Sequence, residues 1–321
     1  MPKTLSQRYI LIILVSLLLL LVILSMRMMQ ASSFWFDEII AIKCAGGAQY
    51  GPGTLTDIFN CLRVNEANAP GFHIILRLWG TVVGWSEFGL WMLCLLGGLL
   101  AVASMYRLGH DLFAGMGEQS AQVIGLSAAV VLGMSAFFIQ FFYELRVYIF
   151  LVLGTIWFVW LYWRIRQQNK PSIRLQAAFV LSVAALLYLH YMTICVLGAV
   201  ALYHLVLVKK DRRWWRVPLL MLAGGLLFLP WVSSLSSTAS LVQNFATLFR
   251  RPPDQMAQML AYTFSNSNVA LLALIGIFAL TALVPKNRTA TFAWWIFIIS
   301  LLTGLLLIVF VPLINRPRYL L

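Results

Sequence analysis

Long apolar runs without a charged residue recur along this chain, and they constrain its fold more than any other feature. A membrane-spanning helix needs about 20 apolar residues, and a charge at its centre costs about 3 kcal/mol or more. Such runs lie near residues 9–26, 88–106, 120–139, 147–163, 175–189, 191–208, 217–235, 268–284 and 292–314. The pattern predicts an all-α, polytopic membrane protein with about nine transmembrane helices.

The composition excludes an ordinary soluble enzyme. Hydrophobic residues make up 62% of the 321 positions and charged residues only 10%, whereas soluble proteins average roughly 25% charged residues. The net charge of +13 does not indicate a nucleic-acid partner, because Lys and Arg lie in short stretches between the apolar runs, as in loops that orient membrane helices. We therefore predict a multi-pass protein of the cell membrane, surrounded by lipid, with no nucleic-acid binding.

The first apolar run, Tyr9 to Met26, follows a basic start with Lys3 and Arg8, so a signal peptide is the competing interpretation. No small-residue cleavage site precedes Met28, and the run is longer than a signal-peptide core. We interpret it as a retained span with a cytoplasmic N-terminus.

A tenth candidate span, 70–84, decides the topology. It has 15 residues and contains His73 and Arg77. If it does not cross, the cytoplasmic loops carry fourteen of the 23 Lys and Arg residues, as the positive-inside rule requires. We therefore predict interfacial helices in one long external loop, 30–87, a second external loop at 236–267, and a single transmembrane domain over 1–321.

This topology leaves most carboxylates outside the cell. Seven of the ten acidic residues are then external, namely Asp37, Glu38, Asp57, Glu66, Glu87, Glu144 and Asp254. The external face is where acid or base chemistry is available.

Asp37 and Glu38 form the sharpest feature, two adjacent carboxylates behind the aromatic run 34–36 and just after the first span. Neighbours on a helix differ by about 100° in direction, so the two acids should have different surroundings and roles. The alternative is that they are helix N-terminal charges favoured by the dipole, with the aromatics as an interfacial belt.

Glu144, Arg146 and Tyr148 lie at the short external turn between the third and fourth spans. Glu144 and Arg146 could form an exposed ion pair worth about 0–1 kcal/mol. The other interpretation makes Arg146 a ligand for a phosphate at the membrane surface.

Further external candidates are His190 and Tyr191, at the turn after the fifth span, and Arg316 and Arg318, after the ninth. His190 either caps a helix or contacts a ligand, and His204 on the opposite side is its structural control. The two arginines contradict the positive-inside bias, which invites an anionic ligand, although the rule also tolerates exceptions.

The four cysteines are too few for a disulfide scaffold. Cys44 and Cys61 share the external loop, where a disulfide is allowed, but spacing cannot show whether they pair. Cys94 and Cys195 lie in apolar runs and are predicted to be free packing residues. No His or Cys spacing indicates a metal site, and no phosphate-binding glycine loop is present.

Taken in order, these stretches resemble the C-type (GT-C) glycosyltransferase superfamily, in the family-39-like group related to protein O-mannosyltransferases and lipid A aminoarabinose transferases. The matching stretches are Trp35 to Glu38, Asn68 to His73, Leu78 to Gly80, Gly84 to Phe88, Tyr143 to Tyr148, Leu187 to Tyr191, Leu229 to Trp231 and Arg316 to Tyr319. Two departures stand out. Asn68 to Gly71 replaces a His-Pro-Pro run, and the chain ends at Leu321, which predicts a C-terminally short relative.

The resemblance implies an enzyme that moves a sugar from a polyprenyl-phosphate carrier to a lipid, glycan or protein acceptor on the non-cytoplasmic face, with inversion of the anomeric carbon expected for direct transfer. Asp37 would be the general base, and Glu38 would orient acceptor or sugar hydroxyls. The residues that would bind substrate or carrier phosphate are Glu144, Arg146, Tyr148, His190, Tyr191, Arg316 and Arg318.

The resemblance assigns no cofactor, and a divalent cation is the open alternative. Two other functions compete with the transferase. One is a lipid or polyprenyl-phosphate transporter, whose external charges would form a binding site for the transported lipid. The other is a non-catalytic membrane scaffold.

Overall fold

A computed structural model describes residues 7–51, 53–65, 68–235 and 288–310. These residues form helices and short 3-10 turns, and no strand occurs among them. The α-helices are α1 Gln7–Ala31, α2 Phe36–Ala45, α3 Leu55–Asn65, α4 Gly71–Val83, α5 Glu87–Phe113, α6 Glu118–Gly133, α7 Ala136–Gln140, α8 Tyr148–Gln167, α9 Ile173–Leu189, α10 Ile194–Leu207, α11 Arg216–Leu226, α12 Leu229–Val232 and α13 Arg288–Phe310. The all-α prediction is confirmed.

Three of the described helical segments are long and apolar enough to cross a bilayer, Gln7–Ala31, Glu87–Met116 and Tyr148–Gln167. Shorter apolar helices accompany them, including Ile173–Leu189 and Tyr191–Leu207. These features fit a polytopic membrane protein. The predicted span at 268–284 lies outside the described residues.

Two predicted apolar runs are each divided between two helices. The run at 120–139 breaks after Gly133, where Ser135 caps the start of α7 by accepting a hydrogen bond from the Phe138 amide at 3.4 Å. The run at 217–235 breaks between α11 and α12. Pro230 explains the second break, because proline has no amide hydrogen and its ring clashes with the carbonyl four residues earlier.

Serine caps set the start of two other helices. The Ser86 hydroxyl accepts from the Gly89 amide at 3.2 Å, and the Ser172 hydroxyl accepts from the Leu175 amide at 3.2 Å. Each bond satisfies one of the amides that a helix N-terminus leaves without an intrahelical partner.

The chain divides into two compact units, and the first contains residues 1–191 and 220–228. In this unit α5 packs against α1, α4, α6 and α8, and α9 packs against α4 and α8. The contact of α5 with α6 is close because glycines lie at the crossing: a Cβ on Gly125 would come within 2.6 Å of the Tyr106 carbonyl oxygen. Small residues at such crossings let membrane helices approach each other.

The second unit contains residues 192–219 and 229–321, and aromatic contacts join α10 to α13. The Tyr203 and Phe292 rings are 4.7 Å apart, and the Trp295 indole donates to the Ala199 carbonyl at 3.1 Å. The His204 side chain is bonded to the Trp214 carbonyl at 2.9 Å and stacks on the Trp214 ring. His204 is therefore a packing residue, as a structural control for His190 should be.

Helices α2, α3 and α4 occupy the segment between the first span and α5. A disulfide joins Cys44, on the last turn of α2, to Cys61 on α3, with 5.3 Å between their Cα atoms. Helix α4 has 13 residues, or about 20 Å of helix at 1.5 Å per residue. That length is short of the roughly 30 Å of a bilayer's hydrocarbon core.

The disulfide should stabilise the fold by restricting the unfolded chain. A loop of about 15 residues is worth about 3 kcal/mol, so Cys44→Ser/Cys61→Ser should lower the free energy of unfolding by about that amount. Thermal unfolding of the purified protein measures the change. A reductant should lower the Tm of the wild type and leave that of the double variant unchanged; an equal effect on both would show that the bond is not the cause.

Candidate active site

The paired carboxylates lie in the first turn of α2. The helix begins at Phe36, after Trp35 in extended conformation, so Asp37 and Glu38 are its second and third residues. Glu38 accepts a hydrogen bond from the Trp35 amide at 3.0 Å. Both acids therefore lie in the first turn of a helix, where the helix dipole favours negative charge, as the alternative interpretation predicts.

The two carboxylates nevertheless have different surroundings, as their helical spacing predicts. The Asp37 side chain is 28% exposed, whereas Glu38 is 2% exposed. One acid can therefore reach a substrate from this surface, and the other is enclosed by protein.

Arg146 lies directly beside Asp37. Its Nη2 is 3.8 Å from the Asp37 Oδ2, and its Nη1 donates to the Asp37 main-chain carbonyl at 3.2 Å. The guanidinium is 11% exposed. Arg146 thus forms an ion pair with Asp37, and Glu144 accepts a hydrogen bond from Gln140 at 3.0 Å.

A small cleft opens next to this pair, and all of its walls belong to the first unit. Its lining comes from the start of α4, the residues before α8 and the end of α9: Asn68, Ala69, Phe72, His73, Arg146, Val147 and Leu189. Among these described lining residues Arg146 carries the positive charge. The cleft therefore presents a cation and two polar side chains, Asn68 and His73, within an apolar frame.

Gly71 brings two of those walls together. A Cβ at this position would come within 2.6 Å of the Tyr188 carbonyl oxygen, so the first turn of α4 lies directly against the last turn of α9. A side chain at residue 71 would force the two helices apart and widen the cleft.

His190 follows the last residue of α9 and is buried. Burial, and then the positive charge of Arg146, lower the pKa of His190 from 6.5 to about 4. The imidazole is therefore neutral near pH 7. It can donate or accept a hydrogen bond at that pH.

The remaining predicted site residues are not among the residues that line the described cleft. Tyr148 is the first residue of α8 and packs its ring 4.6 Å from that of Phe141, and Tyr191 begins a 3-10 turn beside His190. Arg316 and Arg318 lie outside the described residues. Within the described ranges, no group of three or more His, Cys, Asp or Glu side chains could hold a metal ion.

Sequence reasoning missed two polar residues of the cleft, Asn68 and His73. Both stand in a stretch that contributes to the family resemblance, but the pattern of the chain does not mark them as site residues. The available signal is a histidine inside a short apolar segment of the external loop, a position where burial needs a specific reason. His73 is only 1% exposed.

The lowered pKa of His190 should make the fold sensitive to acid. Between pH 6.5 and about 4 the unfolded chain binds a proton that the folded chain does not, so the free energy of unfolding should fall with falling pH, by up to about 3 kcal/mol. His190→Gln should lose this part of the acid sensitivity in thermal unfolding compared near pH 7 and near pH 5. His110→Gln, at the far end of α5, should keep it; equal acid sensitivity of the wild type and His190→Gln would contradict the assignment.

A family model described as dolichyl-phosphate-mannose-protein mannosyltransferase matches residues 67–237, which is just over half of the chain. The match includes the cleft residues and His190, while Asp37 and Glu38 precede it. No curated protein matches the chain, and no solved structure does. The match and the all-helical apolar fold agree with the resemblance seen in the motifs: the chain belongs to the dolichyl-phosphate-mannose-protein mannosyltransferase family, a group of membrane glycosyltransferases in the GT-C superfamily.

Proposed function

We propose that this protein transfers a sugar from a polyprenyl-phosphate-linked donor to an acceptor hydroxyl at the non-cytoplasmic face of the membrane. One observation carries the proposal. A partly exposed carboxylate, Asp37, lies 3.8 Å from the guanidinium of Arg146, and Arg146 also lines the adjacent cleft. The proposed base and the proposed phosphate-binding cation are therefore adjacent.

Asp37 acts as the general base. The acceptor oxygen attacks the anomeric carbon and loses its proton to the Asp37 carboxylate, while the bond from the anomeric carbon to the phosphate oxygen breaks. The departing group leaves as a polyprenyl-phosphate anion. Because the attacking and leaving oxygens are on opposite sides of the carbon, a single displacement inverts its configuration.

Arg146 stabilises the departing phosphate. The leaving group is anionic already, so it needs fixed positive charge more than it needs an acid. An arginine side chain has five N–H donors in a rigid fork, a geometry that suits a phosphate group. In Arg146, Nη2 lies beside the Asp37 carboxylate and Nη1 donates to the Asp37 main-chain carbonyl. Asn68 and His73 supply further polar groups along the same cleft, and His190 contributes as a neutral hydrogen-bonding group.

The location of the site on the external face has two supports. The distribution of basic loops favours an external segment 30–87. The disulfide between Cys44 and Cys61 lies in the same segment as Asp37, and disulfides persist chiefly in oxidising, non-cytoplasmic compartments.

The other candidate residues keep their proposed roles where the geometry allows. Glu144 and Tyr191 lie near the cleft in sequence and remain proposed contacts for donor or acceptor. Tyr148 is 3% exposed and shapes the site through packing. Arg316 and Arg318 remain proposed ligands of the carrier phosphate. No step is assigned to a metal ion.

Replacing Asp37 with Asn tests the base directly, because it keeps the volume and removes the proton acceptor. Purified protein is incubated with labelled polyprenyl-phosphate sugars, and the loss of sugar from the carrier is followed. Transfer should fall at least about 100-fold, while binding of the carrier lipid should persist. The matched control is Glu87→Gln, an exposed acid at the start of α5, which should retain activity.

Two outcomes would contradict this assignment. Wild-type activity in Asp37→Asn would remove the base from the mechanism. Lipid movement across vesicles that is unchanged by Asp37→Asn, with no transfer by the wild type, would favour the transporter.

Replacing Arg146 with Lys tests the phosphate site. Lysine keeps the charge but loses the planar fork, so affinity for polyprenyl phosphate should fall by about tenfold, equivalent to 1.4 kcal/mol. Titration of the lipid into protein in nanodiscs measures it. His73→Ala should weaken binding in the same assay. Arg63→Lys, at an exposed position on α3, is the control; a loss of affinity in Arg63→Lys equal to that in Arg146→Lys would mean that the effect is not local to the cleft.

A further inference from the structure

Glu38 is a buried carboxylate whose bonds join three separate parts of the first unit. Its Oε2 accepts from the Trp35 amide at 3.0 Å, and its Oε1 accepts from the Trp91 indole at 3.0 Å and from the Leu145 amide at 2.5 Å. Trp91 and Leu145 are 53 and 107 residues away from Glu38 in the chain. A buried carboxylate is costly unless it is well hydrogen-bonded, and here both oxygens are engaged by protein donors.

Those partners stand next to the residues of the proposed site. Asp37 precedes Glu38, and Arg146 follows Leu145. The Glu38–Leu145 hydrogen bond and the bond from Arg146 Nη1 to the Asp37 carbonyl at 3.2 Å therefore join the same two segments at adjacent residues. Helix α5 adds a further contact, since the Cys94 Sγ lies 3.9 Å from the Arg146 carbonyl oxygen.

The third partner, Trp91, is itself enclosed. It is 2% exposed and packs edge-on against Phe34, with ring centroids 5.1 Å apart. Leu145 is completely buried. Neither group can reach a substrate, so the hydrogen bonds of Glu38 are directed to the protein interior.

We infer that Glu38 is a positioning residue, which sets the separation of Asp37 from Arg146 through its bonds to Leu145 and Trp91, and that it does not contact the acceptor or the sugar. This inference rests on the proposed function and replaces the role expected for Glu38 from the family resemblance. Its importance follows from distance: a displacement of about 1 Å at a reacting group can cost about 100-fold in rate.

Three variants separate positioning from substrate contact. Glu38→Ala removes all three bonds. Glu38→Gln retains one carbonyl oxygen, which can still accept from Leu145 and Trp91, but it turns an amide N–H group towards the Trp35 amide. Trp91→Phe leaves Glu38 in place and removes only one donor. Glu87→Gln serves as the control for loss of an acid elsewhere in the same unit.

The first measurement is hydrogen–deuterium exchange over residues 143–147, which does not depend on activity. Exchange in this segment should accelerate in Glu38→Ala and stay unchanged in Glu87→Gln. The second measurement is transfer kinetics. We expect kcat to fall by about 100-fold in Glu38→Ala and by less in Glu38→Gln and Trp91→Phe. The KM for the acceptor should stay within about twofold of the wild type in all three variants. A change in KM alone reports the loss of a substrate contact, and a positioning residue makes none.

The outcomes distinguish a failure of this inference from a failure of the proposed function. Unchanged exchange in Glu38→Ala, or a raised acceptor KM in Glu38→Gln with normal kinetics in Trp91→Phe, would overturn the inference while the proposed function stands. If Glu38→Ala does not fold, Trp91→Phe and Glu38→Gln still decide between the two roles by the split between kcat and KM. An inactive wild type would overturn the proposed function and with it the role of Glu38 in transfer, whatever the exchange result.

Discussion

The hydrocarbon of a bilayer offers the polypeptide backbone no hydrogen-bonding partner, and this constraint governs the whole molecule. A segment that crosses must satisfy its own amides and carbonyls, which an α-helix does. The described residues accordingly form helices and short turns without a strand, and glycines at crossings such as that of α5 with α6 let the helices approach closely. Polar chemistry is then confined to helix ends and short connections.

The candidate site is built from such ends. The first turn of α2 supplies Asp37, the turn before α8 supplies Arg146, and the first turn of α4 packs on the last turn of α9 to close the cleft. None of these segments carries the site alone. The buried carboxylate of Glu38 joins the first two, and its three protein donors make the burial of a charge tolerable.

Several features of the site follow from local patterns. Helical geometry is enough to predict that adjacent acids differ in surroundings, because a step of about 100° separates neighbours on a helix. The structure gives Asp37 a partly exposed side chain and Glu38 a buried one. The alternative, that the two acids are charges at the start of a helix, is also correct about where they lie. A residue in the first turn of a helix can also belong to an active site.

Other features depend on contacts between distant residues and have little or no local signal. Arg146 forms an ion pair with Asp37, which lies 109 residues away in the chain. His73 is not singled out by the sequence, because an isolated histidine in an apolar segment more often packs than binds. The charge state of His190 also depends on burial and on Arg146, neither of which the chain order reveals.

By itself, then, the sequence determined the membrane environment and the helical class, which depend on composition, and the family, which depends on the order of its motifs. It also indicated that the two adjacent acids differ in surroundings, because that depends on helical periodicity over a few residues. The tertiary structure alone decided which cation faces Asp37, which donors hold Glu38, that Cys44 pairs with Cys61, and that α4 and α9 meet at Gly71. These depend on how helices from remote parts of the chain pack, and packing is a property of shape in three dimensions that no local pattern encodes.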